Sequence, residues 1–389
     1  MDSHPDVIIV GGGIIGCLAA YYLGQHGLST VIVERDAIGS QASGNAAGIL
    51  TPYSGAGSPT LQAFAEESQR LHRELAQTLP EETGIGYHYG LVPFLRVALT
   101  EEDEGDLRVW YDARRREGHE LAWLSGEEGR RLSGGWLAPE ARAAVPSELE
   151  PQVDPYRLVL AVATAAEALG STIRTGEVAG IQGKEGRATG VILADGSTIP
   201  GHAVLLAMGP WTKLAAPWAG FRIPVEPMRG QIVRLSLPGT QPEFAMLRIM
   251  GRGYILRKPS GEVLGGTTWE RVGFDRQATS EGQASIVEGT LRLSPRARDA
   301  VVEESRACLR PYSADEHPII GLAPGWENLY IAAGHGPEGI LMGPATGKHL
   351  ARLIAEGRSD YDLSPFSPGR FPLRPGNGES GNATVGHHG

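Results

Sequence analysis

Cysteine is scarce in this chain, which has two of them, Cys17 and Cys308, among 389 residues. Two cysteines cannot form the dense disulfide framework that stabilises small secreted domains. Cys17 falls within the first predicted helix, and we expect it to pack in the core. This cysteine content is typical of an intracellular protein, so we expect a cytoplasmic enzyme.

Positive charge and long apolar segments are lacking as well. The net charge is −10 and the isoelectric point about 5.6, which leaves no basic face for nucleic acid or an anionic membrane. No segment approaches the ~18 uninterrupted apolar residues of a membrane-spanning helix. The first apolar run follows no Lys or Arg and is interrupted by glycines, which predicts a buried strand and helix instead of a signal peptide. We therefore expect no nucleic-acid partner and no membrane span, and an anionic substrate would need a locally placed cation.

Glycine, by contrast, is abundant, with 54 residues, and its most informative cluster follows the first apolar segment. A strand is predicted at residues 7–10, a GxGxxG turn at residues 11–16, and an apolar helix up to Leu23. A second apolar strand at residues 30–33 ends at Glu34. This order of strand, turn, helix, strand and acid binds the ADP part of a dinucleotide. The motif predicts a dinucleotide site but does not separate NAD from FAD.

Each residue of this motif has a physical role. Gly11 permits the tight turn, Gly13 lets the backbone approach a pyrophosphate, and Gly16 lets helix and strand pack closely. The pyrophosphate then lies over the free N–H groups of the helix N-terminus, where the helix dipole favours negative charge. The Glu34 carboxylate is placed to bind ribose hydroxyls.

The rest of the chain shows two kinds of pattern. Predicted helices cover residues 61–79, 101–118, 155–169, 282–301 and 343–356. Predicted strands are a pair within residues 86–100, then 171–174, 177–181, 188–193, 197–199, 203–207, 231–235, 254–257, 262–266 and 328–333. The buried run at 203–207 indicates a central parallel strand, whereas the period-two strands within 222–275 predict an antiparallel sheet.

Motifs in five further parts of the chain are more specific than the glycine turn. They are residues 39–49 (GSQASGNAAGI), 224–231 (PVEPMRGQ), 254–257 (YILR), 309–311 (LRP) and 332–340 (AAGHGPEGI). Together with the N-terminal motif, they resemble the D-amino-acid oxidase superfamily of flavoenzymes, and most closely its glycine oxidase branch, over residues 7–358. The resemblance indicates FAD, not NAD, as the cofactor.

The same resemblance implies an α/β fold combined with an antiparallel sheet. A Rossmann-like FAD-binding domain is expected at residues 1–85, 150–215 and 310–360, and a discontinuous substrate domain at residues 86–149 and 216–309. The mostly antiparallel sheet of the substrate domain then lies over the flavin. Residues 361–389, rich in Pro, Gly and Ser, are predicted to be a disordered tail.

The resemblance also assigns cofactor contacts. In the family, the loop at residues 39–49 wraps the pyrophosphate and reaches the flavin. The helix after His335 directs its N-terminus at the flavin pyrimidine, whose reduced form is anionic. The implied FAD-binding residues are Gly11, Gly13, Ile14, Ile15, Gly16, Glu34, Arg35, Ala42, Ser43, Ala47, Gly48, Ile49, Val178, His335, Gly339, Ile340 and Leu341. Core positions are the alternative for Ile49 and Leu341, and no metal is expected.

Cys308 raises the question of a covalent flavin. It stands seven residues before Asp315-Glu316-His317, as in monomeric sarcosine oxidases, where that cysteine is bonded to the flavin. Small residues are common at this position in the family, and Arg310 is a glycine oxidase feature. We therefore expect non-covalent FAD, with attachment through Cys308 as the alternative and His317 as a structural residue.

Family members oxidise an amine next to a carboxylate. Hydride passes from the α-carbon to the flavin, and water hydrolyses the imine. Arg310 matches the carboxylate-binding arginine, whose planar fork suits a carboxylate, and Tyr254 matches the substrate tyrosine that donates to the same carboxylate. The resemblance implies an FAD-dependent oxidase of glycine, sarcosine or small D-amino acids that uses O2, produces a 2-oxo acid and H2O2, and often serves thiamine biosynthesis.

Three positions depart from the glycine oxidase pattern. Glycine oxidases carry a methionine in place of Ile49, an arginine in place of Pro337 and a methionine near Trp269. If Trp269 points inward, its bulk argues against large substrates. The missing arginine at Pro337 puts strict glycine specificity in doubt.

Two alternative functions remain open. A dehydrogenase would run the same half-reaction and pass electrons to a quinone or another acceptor. Residues 42–45 (ASGN) also resemble the flavin domain of a bifunctional tRNA-modification enzyme, a hypothesis against which the net charge of −10 weighs. The sequence does not determine the amine, its stereochemistry or the oligomeric state, for which a homo-oligomer is possible.

Overall fold

A computed structural model of the protein describes residues 4–51, 58–239, 241–248 and 252–371. Its helices are α1 (Ile14–Gln25), α2 (Pro59–Thr83), α3 (Glu101–Arg116), α4 (Gly126–Leu132), α5 (Pro155–Ala168), α6 (Ala216–Ala219), α7 (Ser280–Leu293) and α8 (Gly339–Glu356). Short 3-10 helices cover Gly209–Ala215, Pro295–Asp299, Gly336–Glu338, Ser364–Phe366 and Pro368–Arg370. The strands are β1 (Val7–Val10), β2 (Thr30–Glu34), β3 (Gly90–Ala98), β4 (Leu124–Ser125), β5 (Ala143–Gln152), β6 (Thr172–Thr175), β7 (Val178–Lys184), β8 (Arg187–Leu193), β9 (Thr198–Pro200), β10 (Ala203–Leu206), β11 (Val225–Ser236), β12 (Ala245–Arg248), β13 (Tyr254–Arg257), β14 (Val263–Gly266), β15 (Val301–Ser313), β16 (Ile319–Leu322) and β17 (Leu329–Ala333).

The first sheet has the strand order β16-β17-β10-β1-β2-β6 and is parallel except for β16. Central β1 places Ile9 beside Ile32 on one side and Leu205 on the other. Strands β1 and β10 are apolar throughout because both faces of the sheet are covered. The run at residues 203–207 therefore forms the central parallel strand that its composition predicts.

Helices α1, α2, α5 and α8 cover one face of this sheet, and the small β7-β8-β9 sheet lies against the other. Helices α1 and α8 approach closely where Gly347 meets Leu18. A Cβ at Gly347 would lie 2.8 Å from the Leu18 carbonyl carbon, so only glycine permits this spacing. The close packing anchors α8, which begins at the candidate site.

The second sheet has the strand order β15-β11-β14-β13-β12-β3-β5-β4, and its pairs are antiparallel except β12 with β3. Neighbouring residues alternate between its two faces. Val233 and Ile255 pack in a core with α7, whereas Ile232 and Tyr254 pack with Ile49 on the opposite face. This alternation directs Tyr254 toward the first sheet.

Several predicted elements need correction. The strand pair expected within residues 86–100 is wrong, because these residues hold the single strand β3, which pairs with β5 and β12. Helix α7 ends at Leu293 and not at residue 301, and α8 begins at Gly339, before the predicted residue 343. The sequence analysis missed β5 and β15, because prolines and charged residues interrupt their apolar pattern.

The predicted disordered tail is wrong for residues 361–371. Phe366 is fully buried against Phe64 of α2, and Arg370 binds the Asp315 carboxylate at 2.7 Å. These contacts dock the segment on the first sheet and its helices. Residues 372–389 of the predicted tail lie outside the described residues.

The strands of each large sheet come from separate parts of the chain. Strands β5 and β15 run across the expected domain boundaries at residues 149/150 and 309/310, and we keep the division into two domains as a proposal. Among the described residues, no helix combines the length and the apolar character needed to cross a membrane.

Candidate active site

A cavity of about 520 Å³ lies between the two large sheets. Val10, Val33 and Ala207 line it from the carboxyl ends of β1, β2 and β10. Ile232 and Tyr254 line it from the second sheet. Ligands of doubly wound folds bind at the carboxyl ends of the parallel strands, so the cavity is the expected binding site.

The glycine turn closes tightly at the nucleotide end of this cavity. Gly11 has a φ of +110°, and a Cβ there would lie 2.4 Å from the Ala207 carbonyl oxygen. A Cβ at Gly16 would lie 2.0 Å from the Gly11 carbonyl oxygen. Gly11 and Gly13 line the cavity, whereas Gly16 lies behind it and acts through packing.

The N-terminus of α1 opens onto the cavity through Gly13, Ile14 and Ile15. Gly13 caps the helix without a side chain, and the Ile14 N–H donates to Ser43 Oγ at 3.0 Å. Amides in the first turn of a helix have no intrahelical acceptor and present positive charge to an anion. This end of α1 therefore suits a pyrophosphate.

Glu34 and Arg35 line the adjoining wall together with Val178 of β7. Glu34 Oε2 accepts from the Gly12 N–H at 2.7 Å, and Oε1 accepts from the Asp36 N–H at 2.8 Å. A carboxylate has further lone pairs, which can accept ribose hydroxyls. The Arg35 guanidinium lies 4.9 Å from the Trp211 ring, so both side chains close this end.

The loop at residues 39–49, called here the cofactor loop, forms the middle of the wall. Ala42, Ser43, Ala47, Gly48 and Ile49 line the cavity. Ile49 is 8% exposed and packs with Ile232 and Tyr254 of the second sheet. The loop thus joins the nucleotide end to the opposite end, where Arg310 lies.

Arg310 lines the far end on β15 and is braced by its neighbours. One terminal nitrogen donates to the Thr268 carbonyl oxygen at 3.0 Å, and the other to Thr267 Oγ1 at 2.7 Å. The guanidinium carbon lies 4.4 Å from the Trp269 ring centre. The remaining N–H groups can serve a ligand.

Glycines make room for both predicted substrate-binding side chains. A Cβ at Gly230 would lie 2.2 Å from the guanidinium carbon of Arg310. A Cβ at Gly266 would lie 2.3 Å from the Tyr254 phenol oxygen. The site needs glycine at both positions because the guanidinium and phenol occupy the space of a methyl group.

His335 lines the cavity just before α8, and it is neutral. Burial lowers the pKa of His335 to about 3. Its Nε2 lies 3.0 Å from Thr346 Oγ1, and the Thr346 hydroxyl donates to the Met342 carbonyl oxygen at 2.9 Å. Because the Thr346 hydroxyl proton is already donated, the hydroxyl oxygen accepts a hydrogen bond from Nε2–H of His335. Nδ1 is then the unprotonated ring nitrogen.

Some of the first residues of α8 line the cavity, and others pack in the core. Gly339 and Ile340 line the cavity. Leu341 does not reach it, because its side chain is 1% exposed and packs among the helices on the first sheet. The Leu341 side chain thus takes the core position that the sequence analysis gave as the alternative, and a contact of this residue with the cofactor stays a prediction.

Cys308 lines the cavity and is half-buried. Burial raises the pKa of its thiol, and the nearby Arg310 guanidinium offsets only part of this shift. The thiol form therefore dominates at neutral pH, which weighs against bond formation with a flavin. Trp269 and Pro337 line the cavity as Ile49 does, so all three departures from the glycine oxidase pattern are at the site.

The sequence analysis missed several cavity-lining residues. Those after β10 could have been found, because a buried parallel strand ends there and such ends carry ligands. Gly230 lies in the motif at residues 224–231, but nothing in that motif marks it as lining a cavity, and Thr267 carries no local signal. Missed lining residues include Gln41, Asn45, Gly176, Met208, Gly209, Trp211, Leu214, Gly230 and Thr267. No cluster of metal-binding side chains occurs within the described ranges.

These features suit FAD. The open end of α1 offers amides for a pyrophosphate, Glu34 has lone pairs for ribose hydroxyls, and Ile49 with Ile232 offers an apolar wall for a ring. Residues 6–353 match the family model described as FAD dependent oxidoreductase (DAO), and the chain belongs to this family.

The glycine oxidase of Geobacillus kaustophilus is 31% identical over 371 residues, which cover 94% of this chain and 97% of that protein. A crystal structure of glycine oxidase from Geobacillus kaustophilus superimposes with a TM-score of 0.89 at 30% identity, covering 95% of this chain and 100% of that one. Iminodiacetate oxidase from Chelativorans sp. BNC1 superimposes with a TM-score of 0.84 at 28% identity, covering 93% and 98%.

The bifunctional protein ThiO/ThiG of Nostoc sp. is also similar, with 31% identity over 378 residues and 93% of this chain covered. The chain spans 54% of the length of that protein. The family and these similarities confirm the predicted fold, FAD as the cofactor, and an FAD-dependent oxidoreductase that acts on amino acids or amines.

Proposed function

We propose that this enzyme oxidises the amine of a small α-amino acid, such as glycine, sarcosine or a small D-amino acid, to an imine that hydrolyses to a 2-oxo acid. O2 is the proposed acceptor and H2O2 the second product. The observation that carries the proposal is the braced Arg310 guanidinium in the cavity, on the same sheet as Tyr254. Non-covalent FAD supplies the hydride acceptor.

Arg310 and Tyr254 would bind and orient the substrate carboxylate. A guanidinium and a phenol are both donors that suit a carboxylate, and Thr267 and Thr268 hold the guanidinium in place before the ligand arrives. Trp269 stacks on this guanidinium and takes space at the same end. The arrangement favours a short side chain on the α-carbon.

Among the described residues that line the cavity, no carboxylate base lies at the substrate end. Of the described cavity-lining residues, the acids are Glu34 and Glu177, both at the nucleotide end, and Glu177 lies 3.8 Å from Arg35. We propose that the amine loses its proton to water. Catalysis by the protein then consists of orientation and exclusion of water, and kcat/KM should rise with pH toward the pKa of the amine.

Anaerobic mixing with candidate amines tests this function. We expect glycine, sarcosine or D-alanine to bleach the yellow enzyme, because each carries a carboxylate for Arg310 next to a small amine. Admission of air should restore the colour with release of H2O2. Bleaching without reoxidation by air would favour the dehydrogenase, and an enzyme bleached by none of these amines would contradict the proposal.

Acid precipitation tests the state of the cofactor. We expect the yellow colour to stay in the supernatant, because the raised pKa of Cys308 disfavours the thiolate that a covalent bond needs. A yellow pellet that turns colourless in the Cys308→Ser variant would show covalent attachment instead.

The biological setting stays a proposal. The name of the Nostoc relative motivates a role in thiamine biosynthesis, which growth of a gene-deletion strain without thiamine would test. The cytoplasmic location and a homo-oligomer stay predictions, for which cell fractionation and light scattering of the purified enzyme are the measurements.

A further inference from the structure

Lys258 is a buried cation that the proposed chemistry leaves without a role. It directly follows β13, and only 4% of its surface is exposed. Its Nζ donates to the Ala47 carbonyl oxygen, and among the described residues no carboxylate lies within ion-pair distance of it. Burial of an ammonium group without a carboxylate is costly, so this contact calls for an explanation.

The partner of Lys258 belongs to the cofactor loop at the point where it lines the cavity. On its other side, this part of the loop is bonded to the end of β5 and the residues that follow. The Val153 N–H donates to the Gly48 carbonyl oxygen at 2.9 Å, and the Leu50 N–H donates to the Pro151 carbonyl oxygen at 3.0 Å. Lys258 is thus one side of a clamp on this segment.

Lys258 and Val153 pack closely around Gly48. Its φ is +74°, and a Cβ there would lie 2.2 Å from the Val153 carbonyl oxygen and 3.0 Å from Lys258 Nζ. The ammonium group therefore packs directly on the backbone that forms the cavity wall. A shift of Lys258 would move that wall.

Lys258 also joins the cofactor loop to the strand that carries Tyr254. Tyr254 begins β13 and lines the cavity, and Lys258 follows the last residue of that strand. A single hydrogen bond to Ala47 thus connects the cofactor wall to the substrate wall.

We propose that Lys258 is a positioning residue, whose bond to the Ala47 carbonyl sets the place of the cofactor loop and thereby the tightness of FAD binding. The proposal rests on FAD binding, which family membership establishes, and not on the identity of the amine.

The charges around Lys258 make this bond pH-dependent. Burial lowers the pKa of Lys258 to about 7, and the carboxylates of Glu262 and Asp154 offset part of the shift. Arg306 on β15 interacts with the same two carboxylates. The ammonium form, which is the stronger donor, is present below this pKa and is lost above it, so FAD should be held more tightly at about pH 6 than at about pH 8.5.

The Lys258→Met variant tests the proposal, because methionine keeps an apolar stem and cannot donate. Release of FAD from the holoenzyme on dilution is measured by the fluorescence of free flavin at both pH values. We expect the dissociation constant of FAD to rise about tenfold at the lower pH and to lose its pH dependence. Lys184→Met is the matched control, because the Lys184 side chain is 84% exposed on β7, and it should behave like the wild type.

Two results would overturn the role of Lys258. One is a folded Lys258→Met enzyme whose FAD dissociation constant and visible flavin spectrum equal those of the wild type at both pH values. The other is a wild-type enzyme whose FAD dissociation constant stays the same from about pH 6 to about pH 8.5. This measurement needs no variant, so it tests the role of Lys258 even if Lys258→Met does not fold. Neither readout uses turnover, so both are independent of the proposed substrate.

Discussion

Replacement of Arg310 by methionine is expected to raise the KM for a substrate amino acid about 10²–10³-fold while FAD stays bound. Two charge-assisted hydrogen bonds to the substrate carboxylate are lost, each worth about 1.5–2 kcal/mol. Methionine keeps an apolar stem but loses the guanidinium, both its fork for the carboxylate and its contact with the Trp269 ring. Steady-state kinetics with glycine and sarcosine measure the KM, and the flavin absorption spectrum shows whether FAD stays bound.

Arg306→Met is the matched control for this change. Arg306 lies on the same strand, β15, but its guanidinium binds the Glu304 carboxylate at 2.8 Å and does not line the cavity. We expect wild-type KM values for this variant. If Arg310→Met also kept the wild-type KM, Arg310 would not bind the substrate carboxylate.

The nucleotide-binding half of the fold was predictable because its signals are local. The spacing from Gly11 to Gly16, the apolar strand before it and Glu34 at the end of β2 all lie within one βαβ unit, and the structure assembles them as that spacing predicts. The second sheet was harder. Strand β5 contains two prolines and charged residues, and it is a strand because it pairs with distant β3.

The residues of the candidate site also divide into those with a local sequence signal and those without one. The sequence motifs located Arg310 and Tyr254, and the structure brings both to one cavity wall. The groups that hold Arg310 in place could not be predicted, because Thr267 and Thr268 lie more than 40 residues earlier in the chain and meet it only through the packed second sheet. Lys258 was missed for the same reason, since its contact with Ala47 spans 211 residues.

Arg310 therefore depends on its surroundings as much as on its own chemistry. Gly230 lies on β11 directly beside β15, where the register pairs it with Cys308, and its missing side chain leaves the space that the guanidinium fills. The backbone of Gly230 does not have the left-handed conformation that would by itself require glycine. Glycine is needed there for space alone.

The Gly230→Ala variant is accordingly expected to raise the KM for the substrate amino acid about 10²-fold with the arginine still in place. The new Cβ would lie 2.2 Å from the guanidinium carbon, so the guanidinium must move and lose its bonds to Thr267 and Thr268. Steady-state kinetics should show the rise in KM, while the flavin spectrum and the melting temperature change little, because a flexible side chain and not the backbone gives way.

A double variant separates this mechanism from general damage to the second sheet. If Gly230→Ala acts only through Arg310, it should raise the KM no further in an Arg310→Met enzyme, because the group that it displaces is already gone. Gly180→Ala on β7 is the control for a strand glycine, since its Cβ would meet Ile192 only at an ordinary 3.7 Å. Additive losses in the double variant, or an unchanged KM in Gly230→Ala alone, would show that the space at Gly230 does not set the position of the guanidinium.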